Sequence, residues 1–536
     1  MADRRPLGVQ DALWLEMDRP NNLMVVDSVI WTAEPLDWSR VRQVTEERLS
    51  TRYPVFRSLA VKDRDRSWWW ELDDDFDFGA HVTVVDLKDP DDARELQALV
   101  ASHRTEMLDR GRPLWQAIWV NRYRGGSAVI LRTHHAIADG MRMVELAMSL
   151  FDAAPEGGPI LGPGVEQHSA RPHPPGQPMT RRARSGAAKV AEATQGAVSF
   201  IGETLSDPFG RVTDVAGEVV EVAGELPRMI GRAADFGRLA LRNPVGAGHT
   251  IITSALATAS DVAGSVGSTV RAAVPGGGPL VDMFSAAPGD VDTIRKLLLG
   301  TRNDSTLWTG TAGHDKGVAW SEPVSLAEVK AVARAYGCTV NDVLVTSVAG
   351  TLRDYLEAHD ARCSSVAFMV PVNLKPIDLS LPDSLGNEFA LVQLELPTDQ
   401  SDARQVLAVV KRRMDRIKHG HEAGVAFRLQ EAIAGLNRGL YEASVDLFTN
   451  RTLGTLTNVP GPPMPVYLAG SKVEAMAGWA PVSGNQPMSF TIYSYDGKVT
   501  VGIACDKDLV PDHETVVDGF AAAFDRLLAA TPGVTR

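Results

Sequence analysis

Apolar positions along this chain change their period several times, and each change marks an element. Leu23 to Trp31 reads as a strand, Ser39 to Thr51 recurs at helical spacing with a polar face, and Trp68-Trp69-Trp70 forms a short aromatic strand. A helical pattern over 91–108 leads into a strand from Gln116 to Val120. The run Ala128-Val129-Ile130-Leu131 then predicts a buried strand, and Met143, Leu146, Ala147 and Leu150 predict a helix over 141–151. Residues 1–153 therefore read as a mixed α/β lobe. The three consecutive tryptophans are expected in core and sheet packing rather than as a ligand platform.

Beyond this lobe the pattern breaks. Residues 154–185 are rich in Pro, Gly, Ser and Arg, with Pro172, Pro174, Pro175 and Pro178 among them, and mark a linker. Val212, Val215, Val219, Val222, Leu226, Ile230 and Ala233 then follow at steps of three and four. Glu218, Glu221, Glu225, Arg228 and Arg232 lie between them, which predicts an amphipathic helix kinked near Pro227. Val262, Val266, Val270 and Val274 repeat the theme. A connector packed on the lobes is the preferred reading; the other is an interfacial helix pair on a lipid surface, with Arg181, Arg182 and Arg184 near anionic groups. From about 300 the α/β alternation resumes. Thr339 and Asp342 form a capping box for a helix over 340–357, strands are expected over 366–372 and 388–396, and Asp496-Gly497 predicts a type I′ hairpin turn. The division is thus an N-terminal lobe at 1–153, a connector at 154–300 and a second lobe at 301–536.

Composition narrows the functional classes. With 536 residues, 44% hydrophobic and 23% charged, the chain can bury more than one core. A net charge of -13 argues against nucleic acid as a partner, since phosphate neutralisation needs clustered Lys and Arg. Cys338, Cys363 and Cys505 are scattered and form no CxxC, which suits a reducing, cytoplasmic compartment. No GxGxxG follows a strand and no Walker pattern occurs, so hydride transfer and nucleotide hydrolysis are poorly supported. Met1 to Pro6 has no apolar segment behind its two arginines, so no secretory signal is expected. The uncharged stretch 243–260 is diluted by Gly, Ser, Thr, His and Pro and falls short of a membrane span; any membrane contact is expected to be peripheral.

The chemistry concentrates in His134-His135-Ala136-Ile137-Ala138-Asp139-Gly140, where a buried strand gives way to a helix. Such a junction exposes side chains to a cleft while the strand holds their backbone rigid, as a positioned proton acceptor requires. Two other readings compete. The pair could be structural, with Asp139 capping the helix that follows. A metal site would need further ligands, and no Cys, His or Glu cluster elsewhere has ligand spacing, so no metal is expected.

HHxxxDG and the preceding Leu108-Asp109-Arg110-Gly111-Arg112-Pro113-Leu114-Trp115 resemble the bacterial wax ester synthase/diacylglycerol acyltransferase family. Thr339-Val340-Asn341-Asp342-Val343-Leu344, Asn458-Val459-Pro460-Gly461-Pro462, Tyr467-Leu468-Ala469-Gly470, Ser494-Tyr495-Asp496-Gly497 and Pro511-Asp512 extend the likeness along the chain, the linker excepted. The resemblance implies an α/β (α+β) fold of two chloramphenicol-acetyltransferase-like lobes forming a pseudo-dimer, joined by a helical linker, with a tunnel between them. It implies acyl transfer from fatty acyl-CoA, a co-substrate rather than a cofactor, to diacylglycerol or a long-chain alcohol at a membrane or lipid-droplet surface. His135 would be the general base, His134 a positioning group and Asp139 mainly a brace for the loop, through an Arg. Gly140 suits a tight turn, Pro113, Leu114 and Trp115 build the wall beneath the loop, and Asn341 and Asn458 are candidates to reach the cleft as substrate-binding groups, the stronger reading of each being that Asn341 caps its helix and Asn458 fixes the Pro-Gly turn. The chain departs from the family's Pro-x-His segment at Asn21-Asn22-Leu23-Met24-Val25, and from its Asn-Gly-Pro loop at Leu307-Trp308-Thr309-Gly310-Thr311. Two other functions compete: an HHxxxDG transferase fed by a carrier protein, and a non-catalytic lipid-surface protein.

Overall fold

The computed structural model describes residues 4–20, 22–64, 67–158, 160, 306–373, 389–419 and 452–534. All of these described residues belong to one compact unit. The expected linker beyond residue 160 and the helical patterns at 212–233 and 262–274 lie outside the described residues.

The N-terminal portion runs β1 (Arg4–Pro6), α1 (Val9–Met17), β2 (Val25–Thr32), α2 (Trp38–Thr45), β3 (Ser58–Lys62), β4 (Trp68–Leu72), β5 (Val82–Val85), α3 (Ala93–His103), β6 (Trp115–Tyr123), β7 (Gly126–His134) and α4 (Gly140–Leu150). The C-terminal portion runs β8 (Lys316–Trp320), β9 (Val324–Ser325), α5 (Leu326–Tyr336), α6 (Val340–Ala358), β10 (Ser365–Asn373), β11 (Phe389–Pro397), α7 (Ala403–His419), β12 (Leu456–Pro460), β13 (Tyr467–Leu468), β14 (Ser471–Trp479), β15 (Met488–Tyr495), β16 (Lys498–Asp506) and α8 (His513–Ala529).

Two of the expected helices end early. The one beginning at Trp38, capped by Asp37, widens into a π-type turn over Glu46–Ser50. The one expected over 91–108 stops at His103, because Arg104 turns inward to pair with the buried Asp27 of β2, which also meets Arg132 of β7 at 3.2 Å. Charged groups this deep are tolerated only when paired, so this pairing fixes where the helix ends.

The site is organised by a six-stranded sheet in the order β13-β14-β2-β7-β6-β5. Its central strands read as near-continuous apolar runs because both faces are covered. Leu96 and Val100 of α3 cover one face with Val29, Ile118, Val120 and Ile130. Trp115, Ala117, Trp119, Leu146 and Phe151 lie in the other core. Each such side chain contributes roughly 1.5–3 kcal/mol when fully buried. β14 comes from the C-terminal portion yet pairs antiparallel with β2, Trp479 opposite Asp27 and Ala477 opposite Val29.

A second sheet runs β12-β15-β16-β8, with β9 also on β16, and β12 lies parallel to β15. Its Trp320 stands 5.6 Å from Trp31 and 5.8 Å from Trp479 between ring centroids, so aromatic packing joins the two sheets. The β15–β16 hairpin turns on Asp496 and Gly497, both at positive φ (45° and 76°), as a type I′ turn demands. Of the three consecutive tryptophans, Trp70 is buried in the core, while Trp68 donates to Glu16 and Trp69 to Ser67 from the middle strand of a three-stranded sheet ordered β1-β4-β3. Among the described residues no helix is long and apolar enough to cross a membrane.

Candidate active site

His134 is the last residue of β7, opposite Val25 of β2. Its backbone N–H donates to the Leu114 carbonyl at 3.0 Å, and the His135 N–H donates to the Met24 carbonyl at 2.8 Å. The pair is therefore pinned from two separate segments. The chain then turns, with the Ile137 N–H on the His134 carbonyl at 3.0 Å and the Ala136 N–H on His134 Nδ1 at 3.0 Å. A nitrogen that accepts carries no proton, so this network assigns the His134 proton to Nε2. Nε2 faces Asp18 Oδ2 at 3.6 Å, longer than a direct hydrogen bond. Burial pushes the His134 imidazole below its ordinary value, and the carboxylate does not offset it. His134 is thus neutral at neutral pH.

Asp18 follows α1 and was not among the residues the sequence singled out. One oxygen accepts the Met24 N–H at 2.8 Å; the other accepts the Arg110 guanidinium at 2.8 Å. Burial alone would raise its pKa, but His134, the Met24 amide and Arg110 together hold it below the ordinary value. The available signal was Arg110 itself: a guanidinium inside the LDRGRPLW motif calls for a carboxylate, though nothing local says which one.

His135 stacks on Trp14 of α1, ring centroids 4.3 Å apart and planes 27° apart. Asp139 is the N-cap of α4, accepting the Arg142 N–H at 2.9 Å, while the Arg142 guanidinium meets Glu145 at 2.7 Å. The carboxylate paired with a motif arginine behind the histidines is Asp18. Gly140 does not serve the tight turn expected of it. It is the exposed first residue of α4 without a positive φ, and a Cβ there would meet nothing within 4 Å. Leu114 and Trp115 are buried: Leu114 anchors His134, and Trp115 donates Nε1 to the Phe56 carbonyl at 2.8 Å. Pro113 leads in, its carbonyl accepting the Trp115 N–H at 2.8 Å. His81 stacks on Trp115 at 4.5 Å, and burial lowers its pKa.

In the C-terminal portion the capping box forms as expected, Thr339 and Asp342 each satisfying the other's backbone. Asn341 is therefore not needed as a cap. Instead its Oδ1 accepts from Asn458 Nδ2 at 3.1 Å, tying the first turn of α6 to β12. The structure thus gathers the singled-out residues into two clusters, the histidine turn with Pro113–Trp115 and the asparagine pair. No group of His, Cys, Asp or Glu among the described residues could hold a metal ion.

A mixed α/β fold with HHxxxDG at the end of a central strand of its six-stranded sheet has the architecture of the chloramphenicol-acetyltransferase-like acyltransferases. The structure is similar to that of the wax ester synthase/diacylglycerol acyltransferase from Marinobacter aquaeolei VT8 (TM-score 0.58, 17% identity, 98% of this chain and 100% of that one). It is also similar to the first condensation domain of the calcium-dependent antibiotic synthetase (TM-score 0.53, 14% identity, 99% and 97%). In sequence, the wax ester synthase/diacylglycerol acyltransferase catalytic domain matches residues 7–257 and the WS/DGAT C-terminal domain residues 385–528. A Mycobacterium tuberculosis protein named for diacylglycerol O-acyltransferase activity is 27% identical over 548 residues, covering 98% of this chain and 97% of its own. The chain belongs to the wax ester synthase/diacylglycerol acyltransferase family and is an acyltransferase.

Proposed function

We propose that this acyltransferase moves a fatty acyl group from acyl-CoA to the hydroxyl of diacylglycerol or a long-chain alcohol, with His135 as general base. The observation that carries the assignment is the division of labour within the histidine pair. His134 is fully buried, Nδ1 bound to the Ala136 amide and Nε2 turned to Asp18, whereas His135 keeps 7% exposure beside an aromatic face. A base must reach substrate; His134 is enclosed.

In the reaction so read, His135 takes the alcohol proton as the oxygen attacks the thioester carbonyl. The tetrahedral adduct collapses, the C–S bond breaks, and the imidazolium returns its proton to the thiolate. Donor and acceptor must be bound together, with no covalent acyl-enzyme. General-base catalysis of this kind supplies about 10² to 10⁴ in rate. The asparagine pair is assigned to the substrate-facing wall of the second lobe. The membrane or lipid-droplet surface is the proposed source of the acceptor, which fits the spacing of Val219, Val222, Leu226 and Ile230.

Purified protein given palmitoyl-CoA with diacylglycerol, and separately with hexadecanol, should form triacylglycerol or wax ester, resolved by chromatography. His135→Ala should lower turnover by about two to four orders of magnitude with the fold intact. No ester from either acceptor, with a thioester consumed only on a carrier protein, would replace this reading. So would a folded His134→Ala more damaged than His135→Ala.

A further inference from the structure

We propose that Trp14 is a positioning residue for acyl transfer: its indole face holds the His135 ring in its working plane and stabilises the imidazolium formed when the alcohol proton is taken. This rests on His135 being the base. Trp14 and Asp18 are four residues apart, at the last turn and the C-cap of α1, so they lie on one face of the helix end. Trp14 meets the His135 ring at 4.3 Å, and Asp18 faces His134 at 3.6 Å. One helix end thus addresses both imidazoles. Its placement is rigid: Arg110 donates to the Leu15 carbonyl at 3.1 Å and to Asp18 at 2.8 Å, and the Asp18 N–H returns to the Trp14 carbonyl at 3.2 Å.

The stack does two separable things. A near-parallel aromatic face restricts rotation of the ring about its χ2, leaving a nitrogen aimed along one direction. Its negative π-face also attracts a cation more than a neutral ring, so the charged state of His135 gains more from it than the resting state does. An interaction stronger in the charged state than in the ground state accelerates the chemical step. The charged and titratable groups on the elements about this turn are Asp18 and Arg110 behind His134, His134 itself, Asp11 and Glu16 on α1, and Asp139, Arg142 and Glu145 at the start of α4. Substitution at Trp14 leaves all of them in place.

The test compares Trp14→Phe with Trp14→Leu in the full-length protein. The Phe variant keeps a π-face and should retain kcat within about threefold, whereas the Leu variant should lose about tenfold in kcat with KM little changed. The acidic limb of its kcat–pH profile should move to lower pH, and NMR titration of the His135 ring should show the same downward shift. Trp14→Met is a second non-aromatic variant should Leu not fold. Equal losses in the Phe and Leu variants, or an unmoved His135 titration, would overturn the proposal. If His135→Ala stayed active, the reading of the base would fall instead, and the ring titration would still report whether the indole acts on it.

Discussion

Asp18 holds the Met24 amide with one oxygen and the Arg110 guanidinium with the other, and the second oxygen faces the buried Nε2 of His134 at 3.6 Å. These contacts link three stretches far apart in sequence: the exit of α1, the arginine-rich turn before β6 and the end of β7. Asp18→Asn and Arg110→Met should each lower stability by about 1–3 kcal/mol in urea unfolding, and the double variant should cost less than their sum. Strict additivity would show that the two side chains do not act as a unit.

Acid should weaken the fold through buried imidazoles. His134, His81 and His513 are all held below their ordinary 6.5 by burial. The unfolded chain then binds protons that the folded chain refuses. Stability from these groups is complete above about pH 6.5 and falls as pH drops from there toward the depressed folded values. Melting temperatures between pH 7.5 and 5.5 should decline, and His81→Asn should flatten part of that decline. A steeper slope in the variant would contradict the sign.

Asp139 caps α4, so Asp139→Ala should destabilise by about 0.5–2 kcal/mol. Asp139→Ser, which can still accept from the Arg142 amide, should recover most of it. Turnover per folded molecule should change far less than in His135→Ala. A stable Ser variant as inactive as His135→Ala would give the carboxylate a direct part in the chemistry.

The Asn341–Asn458 bond should be visible in a double-mutant cycle. Either Ala substitution alone should cost about 0.5–1.5 kcal/mol, and adding the second should cost little more. An uncoupled pair would mean that the two amides do not hold α6 to β12.

What the sequence revealed depended on range. The Asp496-Gly497 turn and the Thr339/Asp342 capping box were legible because their cause is contained in four consecutive residues. The histidine motif was legible for the same reason, together with the strand before it and the helix after it. Asp18 was not, because its partners Arg110 and His134 meet it only after the chain has folded. The end of α3 was misplaced for a related cause: periodicity carried on past His103, but Arg104 was drawn inward by Asp27. Gly140 misled in the other direction, since a glycine beside a turn invites a conformational role that its backbone does not require. Nothing in β14 marked it as belonging to the first sheet, because its apolar content suits either one.

That last strand also bears on how the protein is made. As the chain leaves the ribosome, β2 gains β7 on one side early, but its other edge stays open until residues 471–479 have been synthesised. An uncovered apolar edge is a template for pairing with other chains, so the nascent protein passes through an aggregation-prone interval whose length is set by translation. Severing the gene after α4 would make that interval permanent. The histidine motif is contiguous in sequence, yet it is not a portable module: the sheet that holds it is finished only by the far end of the polypeptide.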